Sequence, residues 1–149
     1  MKEINLCLIN VSDLSNLRQW KNDNREAFFY KDEISPEQQY EWFCAYQERH
    51  DDYMFIVLVN DIGIGCIGAR LIDNEWDIYN VILHHKYRRK GLMSKALKEL
   101  IYVVHLYKLI PITVKVLKNN STVNWYKKNE FVITSKQSDH YCMSYEGDL

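Results

Sequence analysis

Apolar and polar positions alternate over residues 4–9 (Ile-Asn-Leu-Cys-Leu-Ile), the period of a half-buried strand. Ser12 or Asp13 can cap a helix that runs to about Asn22, and an aromatic loop follows at Ala27-Phe28-Phe29-Tyr30. Ser35-Pro36-Glu37-Gln38 is a helix start. The serine caps, the proline suits the first turn and the glutamine completes a capping box. Tyr40, Phe43 and Cys44 then recur at helical spacing, and Trp42 and Phe43 are expected to pack inside. Three strands come next, Met54–Val59, Ile62–Ile72 and Trp76–Leu83, separated by the turn signals Asn60-Asp61 and Asp73-Asn74. They predict an antiparallel meander, with Gly63, Gly65 and Gly68 marking a bulge or close backbone approach. Met93, Leu97, Leu100, Ile101 and Val104 form one stripe of a long helix. Ile112–Leu117 is a β-branched strand, and a helix is expected from about Ser121 to Lys128, closed by Asn129 in the left-handed conformation. Phe131–Thr134 and Tyr141–Tyr145 form a last hairpin. This order predicts an α/β sandwich, with a mixed, mostly antiparallel central sheet and helices on both faces.

Composition narrows the class without naming an activity. The 149 residues contain 47% hydrophobic and 26% charged positions, which excludes disorder and suits a single domain over residues 1–149. A net charge of −1 argues against a bulk nucleic-acid binder. No apolar run is long enough for a membrane span, and the start of the chain has no apolar signal core, so a cytoplasmic protein is expected. Cys7, Cys44, Cys66 and Cys142 are scattered and read as buried thiols, with neither a disulfide framework nor metal-ligand spacing. The aromatic fraction of 13% leaves rings to line a pocket.

The stretch that carries chemistry is His84-His85-Lys86-Tyr87-Arg88-Arg89-Lys90-Gly91-Leu92-Met93-Ser94. A strand ends, a basic loop with one glycine turns, and a helix begins. That arrangement aims free backbone N–H groups and the positive helix end at one place, a site for a phosphate or pyrophosphate. Arg88-Arg89-Lys90-Gly91-Leu92-Met93 resembles the acetyl-CoA loop of the GNAT superfamily of N-acetyltransferases, Gln/Arg-x-x-Gly-x-Gly/Ala. It matches at Arg88 and Gly91 and departs at Met93, whose place in the helical stripe turns it toward the core. A second match is independent: Asn119 after the next strand, Tyr126 seven residues on, and Glu130-Phe131 where the family has Gly-Phe. At the front, Leu17-Arg18-Gln19-Trp20-Lys21-Asn22, Ile34-Ser35 and Trp42-Phe43 resemble a subgroup that acetylates amino groups on sugar nucleotides. Protein N-terminal acetylases share part of that pattern.

The resemblance implies acetyl-CoA as cosubstrate, bound by Val81, Ile82, Leu83, Arg88, Arg89, Lys90, Gly91, Leu92, Met93, Ser94, Asn119 and Tyr126. A backbone N–H among Val81, Ile82 and Leu83 would stabilise the oxyanion, and Tyr126 would protonate the departing thiolate. Asp77 is the candidate base, although it also reads as a solvated strand-end carboxylate. His84 and His85 have suitable ordinary pKa values but sit near the CoA phosphates. The acceptor pocket is expected to use Trp20, Asn22, Arg25, Phe28, Phe29 and Tyr30, with Asp23 or Glu26 available to an ammonium. The implied activity is acetyl transfer to a primary amine of a small molecule, by preference an amino sugar nucleotide. The alternatives are a protein N-terminal acetyltransferase and a degenerate acetyl-CoA-binding module without turnover. The expected partners are acetyl-CoA and the amine, with no nucleic acid, membrane or metal, in a monomer or homodimer.

Overall fold

The computed structural model describes residues 3–148. Its strands are β1 (Ile4–Leu8), β2 (Asp52–Val59), β3 (Ile62–Ile72), β4 (Glu75–Leu83), β5 (Ile112–Leu117), β6 (Phe131–Lys136) and β7 (His140–Tyr145). They form one sheet in the order β1-β2-β3-β4-β5-β7-β6, antiparallel at every pair except β4–β5. The helices are α1 (Leu14–Asp23), α2 (Pro36–Glu48), α3 (Leu92–Tyr107) and α4 (Thr122–Lys128). Turn chemistry explains the meander: Asn60, Asp61, Asp73 and Asn74 all take positive φ, the geometry of two-residue hairpins that suit the strand twist.

Two cores lie on opposite faces of the sheet. On one face Met93, Leu97, Leu100, Ile101 and Val104 of α3 and Tyr126 of α4 are buried against Ile67, Trp76, Ile78 and Val114. On the other, Leu17 and Trp20 of α1 and Phe43 of α2 pack on Met54, Ile56, Cys66 and Ile82. The expected mixed sheet with helices on both faces is the observed one.

Helix α2 turns Phe43 and Trp42 inward as expected, but only Phe43 of the three residues at helical spacing is buried. Tyr40 and Cys44 are exposed, whereas Gln39 and Phe43 are buried and Trp42 and Tyr46 half-buried. The cause is a tertiary bond: the Tyr46 hydroxyl accepts the Met54 N–H at 3.0 Å and holds that side of the helix to the sheet. The capping box at Ser35 and Gln38 forms as expected. The thiols also differ from expectation. Cys66 alone is buried, Cys142 is half-buried, and Cys7 and Cys44 are exposed, because β1 is an edge strand and Cys44 faces away from the sheet.

The end of α4 departs by one residue. Asn129 keeps φ −99°, and the left-handed conformation falls on Glu130, φ 70°, where the related family carries glycine. An L side chain there costs about 1–2 kcal/mol, and glycine gives back about half of that in chain entropy. Glu130→Gly is therefore expected to stabilise the fold by about 0.5–1 kcal/mol, read as a melting temperature roughly 1–4 °C higher. A lower melting temperature would show that the Glu130 side chain contributes more than its backbone costs.

Candidate active site

The site begins where the sheet splits. Strand β4 pairs with β5 only over Trp76–Ile78 and Ile112–Val114, after which the parallel strands diverge. A bulge in β4 aids the divergence. The register passes from Gly68↔Tyr79 to Cys66↔Ile82, so β4 spends three steps against two on β3, and Asn80 takes φ 49°. The residues after the bulge, Val81, Ile82 and Leu83, line a cleft of about 1090 Å³ that passes between the separated strands.

One end of this cleft is the loop before α3. Arg89 and Gly91 both take positive φ, and Gly91, φ 72° and ψ 9°, stands immediately before the helix. A Cβ at Gly91 would meet nothing within 4 Å, so conformation and not space selects glycine. Arg89, Gly91, Leu92, Met93 and Ser94 line the cleft at the first turn of α3. The Met93 side chain is 7% exposed and turned into the core. Arg88 reaches the cleft, but its guanidinium is engaged by the protein. It donates to the Leu83 carbonyl at 3.2 Å and to Oδ1 of Asn24 at 2.6 Å, tying this loop to the end of α1.

Lys90 and Asn119, expected in the cleft, lie outside it, as do His84 and His85. Lys90 is exposed beside the Tyr87 ring and outside the cleft. Asn119 is exposed in the turn after β5, and its neighbour Asn120 lines the cleft instead, accepting the Thr122 N–H at 2.9 Å to start α4. His84 and His85 stack on each other at 4.4 Å, away from the cleft, and the His84 imidazole is held below its usual value by desolvation and by His85 and Lys86.

Helix α4 brings Tyr126 to the cleft wall. The Ser94 hydroxyl accepts from Trp125 Nε1 at 3.0 Å and from Asn129 Nδ2 at 3.2 Å, docking α4 on the first turn of α3. Tyr126 is 5% exposed, edge-on to Trp125 and Phe131. Burial, and secondarily the Asp77 charge, pushes its phenol well above the usual value. Asp77 is 7% exposed, so it is no solvated strand-end carboxylate. Burial raises its pKa despite the Arg70 guanidinium, whose Nε donates at 2.9 Å, and the nearby Lys115 ammonium. Behind it, Arg70 lies over the Tyr79 ring, the Tyr79 hydroxyl donates to Asp52, and Arg49 pairs with Asp52 at 3.1 Å.

A second cavity of about 300 Å³ opens beside the bulge, between α1, α2 and the sheet, and shares Lys21, Tyr30, Trp42, Asn80 and Ile82 with the cleft. Phe28, Phe29 and Tyr30 line the cleft as expected, and Phe29 meets the His140 ring edge-on at 5.3 Å, so the aromatic loop reaches across to β7. Trp20, Asn22 and Arg25 do not reach it. Trp20 is a core residue, 6% exposed. Asn22 braces the loop through both backbone groups of Ile34, at 2.7 and 3.0 Å. Arg25 is exposed and lies 3.9 Å from Glu33. Asp23 and Glu26 are exposed outside both cavities. Lys21, Gln39, Arg70 and Trp125 are members that sequence reasoning missed. For Lys21 there was a signal, a cation four residues after Leu17 on the inward stripe of α1.

Among the described residues, no helix is long and apolar enough to cross a membrane, and no group of His, Cys, Asp and Glu is arranged to hold a metal ion. Solved structures with this fold include a domain from Methanocaldococcus jannaschii DSM 2661 (TM-score 0.85, 16% identity, 97% of this chain and 98% of that one). Spermidine N-acetyltransferase from Vibrio cholerae, solved with CoA and spermine, is also similar (TM-score 0.80, 16% identity, 95% and 94%). So is apo FdhC, described as a nucleotide-linked sugar GNAT (TM-score 0.75, 17% identity, 95% and 85%). No curated protein matches the sequence. The model of the acetyltransferase (GNAT) family matches residues 17–131, most of the chain and every part of the cleft up to the end of α4, and the chain belongs to that family.

Proposed function

We propose that this acetyltransferase moves the acetyl group of acetyl-CoA to a primary amine of a small acceptor, an amino sugar nucleotide. The observation that carries the reading is the meeting of two cavities at the β4 bulge. One is a long cleft running from the α3 N-terminus, and the other is a ring-lined pocket of sugar size.

The cleft fits acetyl-CoA in chemistry and shape. The first-turn amides of α3 and the Arg89 guanidinium present donors to phosphate oxygens. Arg88 is already engaged by Leu83 and Asn24, and so shapes the loop. Beyond Ile78 the β4 edge faces no β5 partner, leaving backbone groups at 79–83 for an extended arm to pair with, as an added strand would. When bound, the cosubstrate supplies an activated acetyl thioester. The chain then has three tasks. A backbone N–H among Val81–Leu83 meets the carbonyl oxygen. Tyr126 holds its proton at working pH and passes it to the departing sulfur. Asp77 takes the proton of the incoming ammonium, directly or through water.

The acceptor lies against Tyr30, Trp42 and Phe28, whose faces suit sugar and base rings. The test is a turnover panel of UDP-linked amino sugars, glucosamine, short peptides and spermidine, with CoA release as readout. Preference for the nucleotide-linked sugars supports the reading. Preference for peptides replaces it with N-terminal acetylation.

Asp77 yields a pH prediction. Its carboxyl loses its proton at higher pH than an ordinary aspartate, so the acid limb of kcat/KM is expected above the usual carboxylate range. The limb falls toward low pH, because the protonated carboxyl takes no proton. In Asp77→Asn the limb disappears and the plateau drops about 100-fold or more, with water as the residual base. An unchanged limb assigns the base elsewhere.

A further inference from the structure

The geometry points to Lys21 as the residue that decides acceptor charge: the pocket beside the bulge takes an uncharged or anionic, oxygen-bearing body and turns away polyamines. The inference rests on the reading that the chain acetylates an amine, but it does not depend on that amine belonging to a sugar.

The pocket is built against a second cation. Its described lining contains no aspartate or glutamate, and its one charged side chain is Lys21. The Lys21 ammonium donates to Oδ1 of Asn80 at the bulge and lies 3.7 Å above the centre of the Phe28 ring. A lysine carries three donors; one meets Asn80 and the Phe28 face covers another side, which leaves at least one for an acceptor's oxygen atoms. The other groups packed around it bring no countercharge. Arg70 is a cation, and the Cys66 thiol stays protonated, pushed up to about 12 by burial, while donating to the Asn80 carbonyl at 3.2 Å. Asp77, the carboxylate of the adjoining cleft, is already paired with Arg70. A polyamine's second ammonium placed here would face a like charge in apolar surroundings with nothing to neutralise it.

Gln39 is the second, independent observation. The residue is 7% exposed and lines the cavity, and its amide has no partner among the described side chains and backbone groups. A nine-tenths-buried amide with free donor and acceptor is matched by a hydroxyl or an amide on a ligand, and by no cation alone. Leu17, Ile34, Met54 and Trp42 complete an apolar surround. The acceptor body that fits therefore carries oxygen toward Lys21, a neutral polar group toward Gln39, and apolar carbon between them.

The test compares kcat/KM at pH 7 for spermidine, a UDP-linked amino sugar and glycinamide, in the wild type and in Lys21→Glu. At that pH Lys21 keeps its charge, since burial lowers its pKa only to about 8. The wild type is expected to reject spermidine by at least about 100-fold against the better of the other two. Lys21→Glu is expected to shrink that ratio about tenfold or more. Wild-type use of spermidine on a par with the others, or a ratio unmoved in Lys21→Glu, overturns the inference. If glycinamide is preferred over the nucleotide sugar while spermidine is rejected, the amino-sugar reading fails and this one stands. If Lys21→Glu does not fold, Lys21→Gln and Lys21→Met carry the same comparison, with a smaller expected shift. If no amine turns over, calorimetry of the three amines with the CoA-loaded protein reads the same ratio, and indifference to charge there also overturns it.

Discussion

Tyr126→Phe is expected to lower kcat by about 100- to 10,000-fold, the range a positioned acid contributes. The ring that packs edge-on to Trp125 and Phe131 is retained, so the two cores and the docking of α4 are undisturbed. What disappears is a hydroxyl at the cleft wall whose elevated pKa owes nothing to a hydrogen bond. The melting temperature should therefore stay within a degree or two. Burial and the Asp77 charge keep the proton on the phenol throughout the neutral range, so in the proposed role it is loaded before each turnover. Because the proton is needed only as the C–S bond breaks, the loss should fall on kcat and spare acetyl-CoA affinity. Melting temperature, kcat and Kd measured on one preparation decide the matter. A variant with wild-type kcat removes Tyr126 from the chemistry and leaves it a packing residue.

Gly91→Val is expected to weaken acetyl-CoA binding by about 5- to 150-fold, the equivalent of the roughly 1–3 kcal/mol that a left-handed conformation costs an unsuited residue. The new side chain would collide with nothing. The penalty is conformational: φ 72° is foreign to a β-branched residue, and relaxing it rotates the first-turn amides of α3 away from the cleft. Gly91→Asn is the control, since asparagine tolerates that conformation, and it should stay within about tenfold of wild type. Calorimetry with acetyl-CoA reads both. Equal affinity in the valine variant would separate phosphate binding from this turn.

Much of the fold could be read in advance wherever a local physical rule acted alone. The α3 stripe, the Ser35 capping box and the Asn-Asp and Asp-Asn hairpin turns are short-range patterns, and all of them formed. The motif matches at Gly91 and Tyr126 also led to the cleft wall. Less could be read where distant groups competed. Tyr46 hydrogen-bonds to β2 and turns α2 so that Gln39, not Tyr40, faces inward. Arg88 reaches the cleft as the motif implies, and Asn24, far away in sequence, and the Leu83 carbonyl hold two of its donors. Asn119 is exposed after β5, and its neighbour Asn120, which starts α4, lines the cleft.

By itself the sequence determined the element order, the sandwich of helices on a mixed sheet, and the glycine turn into α3, since each follows from periodicity, capping or backbone freedom within a few residues. The tertiary structure alone decided which polar side chains share a cavity. It placed Lys21 of α1, Gln39 of α2 and Asn80 of the β4 bulge around one small pocket, and paired Asp77 with Arg70 beneath Tyr126. The physical reason is that burial and charge act through space. A lysine on an amphipathic helix is an ordinary surface cation until a bulged strand and a second helix take away its water.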